Sequence, residues 1–242
     1  PSLDLAPTEL ELAALVEAVD EMARRIADAR ERLVREKQVV ERMVETAARE
    51  LGVSPAELRR KNFTPPTSGN IDMTSMTADE AQLTIRAAVA AGFTDLKLTG
   101  ELSKTGIGGN WGTFINNKKI TKCDLTGVTD WGTTPTLPEL AFANCTALQE
   151  VTLPDDMKVI GTGAFSGCAA LTTVNLSQVT WINLNAFWGC TSLETLALDN
   201  VTAIGQEAFY GCTGLETLKI PKCTQFGNYI VTGCKALTRI EA

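Results

Sequence analysis

Seven cysteines are the residues of this chain with the most versatile chemistry, because a thiol can bind a metal, change redox state or act as a nucleophile. Histidine, the usual general base and metal ligand, is absent from all 242 residues, so a Ser-His-Asp or Cys-His mechanism is impossible within the chain. No two cysteines have C-x-x-C spacing, so neither a zinc site nor a thioredoxin-like redox site is indicated. We predict no enzymatic activity, no cofactor and no metal.

The spacing of five of these cysteines has a structural explanation. They are 23, 22, 22 and 22 residues apart, and each ends a phrase of the type Ala-Phe-x-Gly-Cys or a variant of it: Cys145, Cys168, Cys190, Cys212 and Cys234. A cysteine that recurs in register is most simply a small buried apolar residue, so we expect free, unreactive thiols. Cys123 and Cys223 are out of phase, with Cys223 the more exposed of the two, and neither lies near a residue that would activate it.

A short stretch with apolar residues at every second position follows each phrase, which is typical of a β-strand. Its inward residues include Val151, Val174, Leu196, Leu218 and Ile240, and two looser copies lie upstream at 96–98 and 123–125. One such unit cannot bury its own apolar residues, whereas stacked copies align phenylalanine on phenylalanine and cysteine on cysteine. We therefore predict a solenoid of about seven coils with one parallel sheet along a face.

These residues resemble the BspA-type leucine-rich repeats of bacterial surface proteins, whose units read roughly Ile-Gly-x-x-Ala-Phe-x-x-Cys-x-x-Leu. Residues 204–212 match that pattern closely, and the resemblance extends over about residues 93 to 242. It is weaker at Asn183, where the glycine is missing, and in the last copy. Members of the family are typically exported and are associated with adhesion or other surface binding. The resemblance thus implies a leucine-rich-repeat solenoid, an extracellular or cell-surface location on a bacterium, and a non-enzymatic binding role.

The outward positions of the predicted strands form rows along one face, and solenoids bind ligands along such extended surfaces. We predict that a protein or glycan partner binds on this face, although a merely solvated, threonine-rich sheet explains the same pattern equally well. The candidate binding residues are Glu150, Thr152, Thr173, Asn175, Thr195, Ala197, Thr217, Lys219, Arg239 and Glu241.

Three further features have a functional and a structural interpretation. The glycine-rich stretch 106–112 suggests a phosphate loop, but its spacing is not G-x-G-x-x-G and no helix pattern follows, so we predict turns. Lys118, Lys119 and Lys122 form a small basic cluster that we interpret as a solvated loop. The tryptophans are either contact residues or part of the core, and only their burial separates these alternatives: Trp111, Trp131, Trp181 and Trp188.

A long N-terminal helix is predicted over residues 8–51, which contain neither glycine nor proline and carry apolar residues at heptad spacing, interrupted by Glu36. A parallel dimer would bring like charges together, Arg25 near Arg30 and Arg32 near Lys37, so that register is disfavoured. An antiparallel partner, a higher-order bundle and the chain's own helices remain alternatives.

Three parts are predicted along the chain. Residues 1–63 comprise the heptad helix and a short helix, 64–76 form a linker, and 77–242 form the solenoid. A capping box at Thr77 and Glu80 begins a helix that we expect to cover the open end of the solenoid core. The chain stops within the last strand, so we expect self-association or truncation to account for an uncovered C-terminal end.

The charge of the chain excludes one class of partner. A formal net charge of −7 argues against nucleic-acid binding, and no apolar run approaches membrane-spanning length. The function best supported is binding of a protein or glycan by the solenoid, with residues 8–51 acting in oligomerisation or as a spacer. The alternative is a structural subunit of an appendage or fibre, assembled through the helix.

Overall fold

A computed structural model describes residues 69–109 and 112–242, together with residues 22, 24, 25, 38, 41, 42, 44, 45, 48, 49, 52 and 54–56. The chain divides into two compact units, Pro1–Arg42 and Met43–Ala242. The second unit contains all of the repeats. Its continuous secondary structure begins at Asn70.

Thirteen short strands and two helices follow one another in the part of the second unit that is described continuously. In chain order they are β1 (Asn70–Asp72), α1 (Ala78–Ala90), β2 (Asp95–Glu101), α2 (Leu102–Thr105), β3 (Lys122–Thr129), β4 (Thr136–Leu137), β5 (Glu150–Thr152), β6 (Val159–Ile160), β7 (Thr173–Val174), β8 (Trp181–Ile182), β9 (Thr195–Ala197), β10 (Ala203–Ile204), β11 (Thr217–Lys219), β12 (Gln225–Phe226) and β13 (Arg239–Glu241).

The strands form parallel sheets in which neighbours belong to successive coils. The first sheet has the order β1-β2-β3-β5-β7, and three further strands pair in the order β9-β11-β13. A second parallel sheet, which was not predicted, has the order β4-β6-β8-β10-β12. Its inward residues Ile160, Ile182 and Ile204 are buried. The predicted solenoid is therefore confirmed, with strands at all seven predicted places.

The prediction of a single uninterrupted sheet was wrong, because the pairing stops between β7 and β9. Asn175 explains why β7 is so short. Its Oδ1 accepts a hydrogen bond from Leu153 N at 2.6 Å, and its Nδ2 donates to Leu153 O at 2.9 Å. A side chain thus takes the place of the next pair of backbone hydrogen bonds, and the strand ends at Val174.

Strand β1 lies inside the predicted linker 64–76, so that prediction was wrong for residues 70–72. β1 pairs in parallel with β2, with Ile71 opposite Leu98. Ile71 is buried in the main core cluster. The strand was missed because three residues with a single apolar side chain show no alternating pattern. Residues 64–68 lie outside the described residues.

Helix α1 begins at the predicted capping box and connects β1 to β2. Thr77 Oγ1 accepts a hydrogen bond from Glu80 N, and Glu80 Oε2 accepts one from Thr77 N at 2.9 Å. Ala81, Ile85 and Ala88 are buried in the main core cluster. The helix therefore covers the N-terminal end of the core, as predicted, although one strand of the sheet precedes it.

A column of phenylalanine rings forms the centre of the solenoid. The rings stack with centroid separations of 5.2 to 5.6 Å and are all buried: Phe114, Phe142, Phe165, Phe187 and Phe209. The first of them was not predicted, because its coil reads Gly-Thr-Phe in place of Ala-Phe. Stacked aromatic rings stabilise beyond the area that they bury.

Each repeating thiol links its coil to the preceding one. Cys168 Sγ donates to Phe142 O at 3.0 Å, and the same carbonyl accepts a hydrogen bond from Cys145 N at 3.1 Å. The other four cysteines of the phrase bond in the same way to the phenylalanine one coil earlier. Cysteine thus fills a small apolar space and supplies a donor to a buried carbonyl oxygen, which is costly to leave unpaired.

Most of the predicted helix over 8–51 lies outside the described residues. The positions that are described within it are helical, among them Met22, Gln38 and Glu45. In the second unit, Val44 and Ala48 are buried against Ala87 of α1. These two residues therefore pack on one of the chain's own helices, whereas the partner of the heptad stripe itself stays a prediction. Of the short helix predicted after Ser54, Pro55 and Ala56 are described and are helical.

We expect Phe165→Ala to lower the free energy of unfolding by about 3 to 5 kcal/mol, because it removes a ring from the middle of the buried column. Phe226→Ala is the matched control. That phenylalanine is 52% exposed, so its loss should cost less than about 1 kcal/mol. Urea unfolding followed by circular dichroism measures both values. Equal losses in the two variants would contradict a core that depends on the column.

Candidate binding surfaces

The ten predicted binding residues all lie on or beside the first-sheet strands of five successive coils. Thr195, Thr217 and Arg239 are aligned across neighbouring strands, as are Ala197, Lys219 and Glu241. Glu150 is likewise opposite Thr173. We refer to this outward surface of β2, β3, β5, β7, β9, β11 and β13 as the sheet face.

The N-terminal half of the sheet face carries charges of which only Glu150 was among the predicted binding residues. Asp95, Lys122 and Glu150 are aligned across three strands, and Lys97 is opposite Asp124. The signs alternate, which allows cross-strand ion pairs: Lys97 Nζ lies 2.9 Å from Asp124 Oδ2, and Lys122 Nζ lies 3.0 Å from Glu150 Oε2. These positions could have been found by extending the outward pattern to the two looser upstream strands.

Lys122 does not belong to the solvated loop in which it was predicted. It is the first residue of β3 and lies opposite Glu150 of β5. The hydrogen bond and the negative charge of Glu150 raise the pKa of Lys122 above its ordinary value. Since the charges of this half of the face are paired with one another, a partner would have to compete with those pairs.

The C-terminal half of the sheet face is mostly neutral. Thr173 and Thr195 are exposed and Thr217 is half-buried, without a charged residue between them in the row. Further along, Lys219 Nζ lies 3.0 Å from Asp199 Oδ1, and Arg239 Nε lies 2.8 Å from Glu241 Oε1. The described face thus presents hydroxyl groups between two sets of ion pairs.

Burial separates the tryptophans into two groups. Trp131 belongs to the core, and its Nε1 donates to Val128 O at 2.6 Å. Trp181 and Trp188 are 51% and 41% exposed. Trp111 lies outside the described residues. Two of the four are therefore surface aromatics, and one is a core residue with its N–H satisfied.

Three exposed rings lie on two successive coils, and we refer to them together as the aromatic surface (Trp181, Trp188 and Tyr210). The rings of Trp188 and Tyr210 stack with centroids 6.1 Å apart and planes 5° from parallel. Tyr210 is 36% exposed, at the variable position of the phrase Ala-Phe-x-Gly-Cys. The residues on both sides of this position recur from coil to coil, whereas the residue at the position itself varies. A comparison of the copies in the sequence could therefore have identified Tyr210.

Other coils show that the fold does not require aromatic residues at these positions. The position of Trp188 and Tyr210 holds Ser166 one coil before and Thr232 one coil after. Trp181 is paired between Val159 and Ala203 in the second sheet. Coils with smaller residues at these positions adopt the same backbone structure. The solenoid therefore does not require the rings of the aromatic surface.

All seven cysteines are free; Cys123 and four of the phrase cysteines are buried, whereas Cys223 and Cys234 are only partly buried. Burial raises the pKa of Cys145 to about 12, and it also raises the pKa of Cys123, Cys168 and Cys190. Cys234, in the last coil, is only partly buried.

The remaining sequence candidates do not form a site with the cysteines. Gly106, Gly108 and Gly109 have positive φ angles and lie in a turn region after α2, which agrees with the prediction of turns. Among the described residues, no cluster of acidic side chains and cysteines has the composition needed to hold a metal ion. In the same part of the chain, no helix has the length and apolarity needed to cross a membrane.

The model of the BspA type leucine rich repeat region matches residues 113–238 in six copies, which is just over half of the chain. The chain belongs to this family. The first copy begins beside Phe114, the first ring of the phenylalanine column. The resemblance drawn from the repeat is therefore confirmed, and the parallel solenoid is a leucine-rich-repeat fold.

Solved structures of bacterial leucine-rich-repeat proteins are similar to this chain. A leucine-rich-repeat protein of T. pallidum is 22% identical over 52% of this chain and 70% of its own, with a TM-score of 0.45. A leucine rich cell surface protein of Faecalibacterium prausnitzii A2-165 is 28% identical over 59% of this chain and 42% of its own, with a TM-score of 0.43. A leucine-rich repeat protein from Bacteroides ovatus ATCC 8483 is 27% identical over 56% of this chain and 41% of its own, with a TM-score of 0.44. No curated protein matches the chain.

We expect Cys234 and Cys223 to be the only thiols that react quickly with a disulfide reagent in the folded protein. Both are only partly buried, whereas the other five thiols are enclosed in the core, so the reagent reaches these two without unfolding of the chain. Titration with 5,5′-dithiobis(2-nitrobenzoate), with and without denaturant, measures the number of reactive thiols and the rates at which they react. A rapid reaction of five or more thiols without denaturant would count against the buried ladder.

Proposed function

We propose that this leucine-rich-repeat protein is a non-enzymatic bacterial surface protein that binds a protein or glycan partner through its solenoid. The observation that carries the proposal is the aromatic surface, where three large rings occupy positions that neighbouring coils fill with small residues. Membership of the family supports the same role and an extracellular or cell-surface location.

Covering these exposed rings with a partner would be energetically favourable. Burial of apolar surface contributes about 25 cal/mol of favourable free energy per Å². Tryptophan and tyrosine are among the side chains that most often dominate the binding energy at protein interfaces. Trp188 and Tyr210 hold each other in place by stacking, so less conformational entropy is lost when a partner covers them. An aromatic face also suits the apolar C–H side of a sugar ring.

The sheet face supplies the polar part of the proposed contact. Thr195 and Thr217 offer hydroxyl donors and acceptors in register, and the exposed Thr173 adds another hydroxyl group one coil earlier. The paired charges around Glu150 favour partners that leave those pairs intact. We therefore propose that the neutral, C-terminal half of the sheet face contributes more to binding than the charged half.

We also propose that residues 8–51 mediate oligomerisation or act as a spacer. Met22, a member of the apolar heptad stripe, is 62% exposed. An apolar residue at heptad spacing that is exposed in one chain is suited to contact a helix of another. If such contacts join many chains in series, the protein serves instead as a structural subunit of an appendage or fibre, and the solenoid projects from the assembly.

Binding is tested with the full chain on an array of defined glycans and a panel of purified extracellular glycoproteins. For the probe that binds best, Trp188→Ala/Tyr210→Ala should weaken affinity about 30-fold or more, the effect of losing about 2 kcal/mol at a hot spot. Phe226→Ala/Tyr229→Ala removes two exposed rings from the last coil and should leave affinity within about threefold of the wild-type value.

The sheet face is tested on the same probe. Thr195→Asp/Thr217→Asp introduces charge into the neutral row and should also weaken binding, while leaving the far-ultraviolet circular dichroism unchanged. A chain that binds no probe saturably, or an aromatic double variant that binds as well as the wild type, would contradict the proposed function.

Self-association is tested by multi-angle light scattering of the full chain over a hundredfold range of concentration. We expect a mass above that of one chain, and we expect Ile26→Glu to reduce it, because a charge in the heptad stripe opposes helix pairing. Ala27→Glu is the control, since it adds the same charge outside the stripe. A monomer at all concentrations would exclude both the oligomeric and the fibre alternatives.

A further inference from the structure

A cavity separates helix α1 from the turn at residues 112–119. Its volume is about 540 Å³, within the range of small-molecule sites. Ile85 and Val89 of α1 and Ile115 of the turn supply apolar lining. None of the residues that line it belongs to the sheet face or to the aromatic surface, so the cavity is a separate feature of the second unit.

Three cations line this cavity, namely Arg86, Lys118 and Lys119, and no acidic residue does so among the described residues. The side chains of all three are exposed, and none makes an ion pair or hydrogen bond within the described part of the chain. The chain as a whole has a net charge of −7. The cavity therefore concentrates positive charge on a protein that is otherwise acidic.

Elsewhere in the repeats, five of the other seven lysines have side-chain partners. Ion pairs hold Lys97, Lys122 and Lys219, and hydrogen bonds hold Lys104 and Lys222. The three cations around this cavity differ from that majority, because their side chains make no such contacts within the described residues. Like charges gathered in one place repel one another, and an anion that binds among them relieves that repulsion.

The turn that carries the two lysines is held in place before any ligand arrives. Asn117 Oδ1 accepts hydrogen bonds from Lys119 N at 2.9 Å and from Ile120 N at 3.0 Å. Asn116 Oδ1 accepts one from Asn144 Nδ2 at 3.0 Å, which ties the turn to the next coil. Phe114 and Ile120 anchor the turn on both sides in the core. A fixed backbone reduces the ordering cost of binding.

We infer that this cavity binds a small amphipathic anion, that is, a molecule with one carboxylate, sulfonate or phosphate group and an apolar chain or ring. The anionic group contacts Arg86, Lys118 and Lys119, and the apolar part packs on Val89 and Ile115. The cations supply electrostatic attraction and orientation, while the lining supplies burial. The inference is independent of the proposed function, because it uses neither of the two surfaces argued above.

The test is a fluorescence titration of the full chain with 8-anilinonaphthalene-1-sulfonate, an aromatic sulfonate, and with N-phenyl-1-naphthylamine, its uncharged counterpart. Lys118→Gln/Lys119→Gln should weaken binding of the sulfonate about tenfold and leave the affinity for the uncharged dye unchanged. Lys158→Gln/Lys235→Gln removes two lysines that likewise make no side-chain ion pair or hydrogen bond within the described residues but lie outside the cavity. This control should bind both dyes like the wild type. Arg86→Gln should weaken binding of the sulfonate as well.

Two competitors determine whether the apolar lining takes part. Decanoate should displace the sulfonate from the wild-type protein, whereas inorganic phosphate, which has no apolar part, should displace little of it. The inference is overturned by equal losses in the two lysine double variants, by the absence of a saturable site for the sulfonate, or by displacement with phosphate as effective as with decanoate. Comparison of the matched double variants excludes dye bound at other apolar surfaces, such as the exposed Phe226.

Discussion

The register between successive coils is the constraint on which the rest of the structure depends. A phenylalanine ring stacks on the ring one coil away, and the carbonyl of that same phenylalanine accepts hydrogen bonds from two cysteines, one in its own coil and one in the next. Phe142, for example, is bonded by Cys145 N and by Cys168 Sγ. A coil that slipped by one residue would lose its ring contact, its thiol bond and its strand pairing together, which accounts for the regular 22-residue period.

Because the inward residues are so constrained, variation is confined to outward positions. Ser166, Trp188, Tyr210 and Thr232 occupy one repeated position, and the backbone around them is closely similar. Differences between coils at such positions cannot be explained by packing of the core. They are therefore the best guide to function in a repeat protein, and the aromatic surface follows from comparing the coils of this chain with one another.

The lysines of this chain fall into those that form ion pairs and those that form none within the described residues. On the sheet face Lys97 and Lys122 are paired with carboxylates of the neighbouring strand, so those charges contribute to the sheet itself. At the cavity beside α1, Lys118 and Lys119 make no such pairs within the described residues. The same residue type thus has a structural role in one place and is available to a ligand in the other, and only its neighbours distinguish the two.

The sequence alone determined the solenoid, the phenylalanine and cysteine columns, the capping helix at Thr77 and the outward strand positions of five coils, because each depends on residue types that recur at a fixed local spacing. Only the tertiary structure added β1, the second sheet and the interruption between β7 and β9, since these depend on hydrogen bonds between coils that leave little trace in a short segment. It also decided that Trp131 is buried while Trp181 is exposed, and that Arg86 and Lys118 line one cavity. Those outcomes depend on which residues meet in space across tens of positions, which no periodicity encodes.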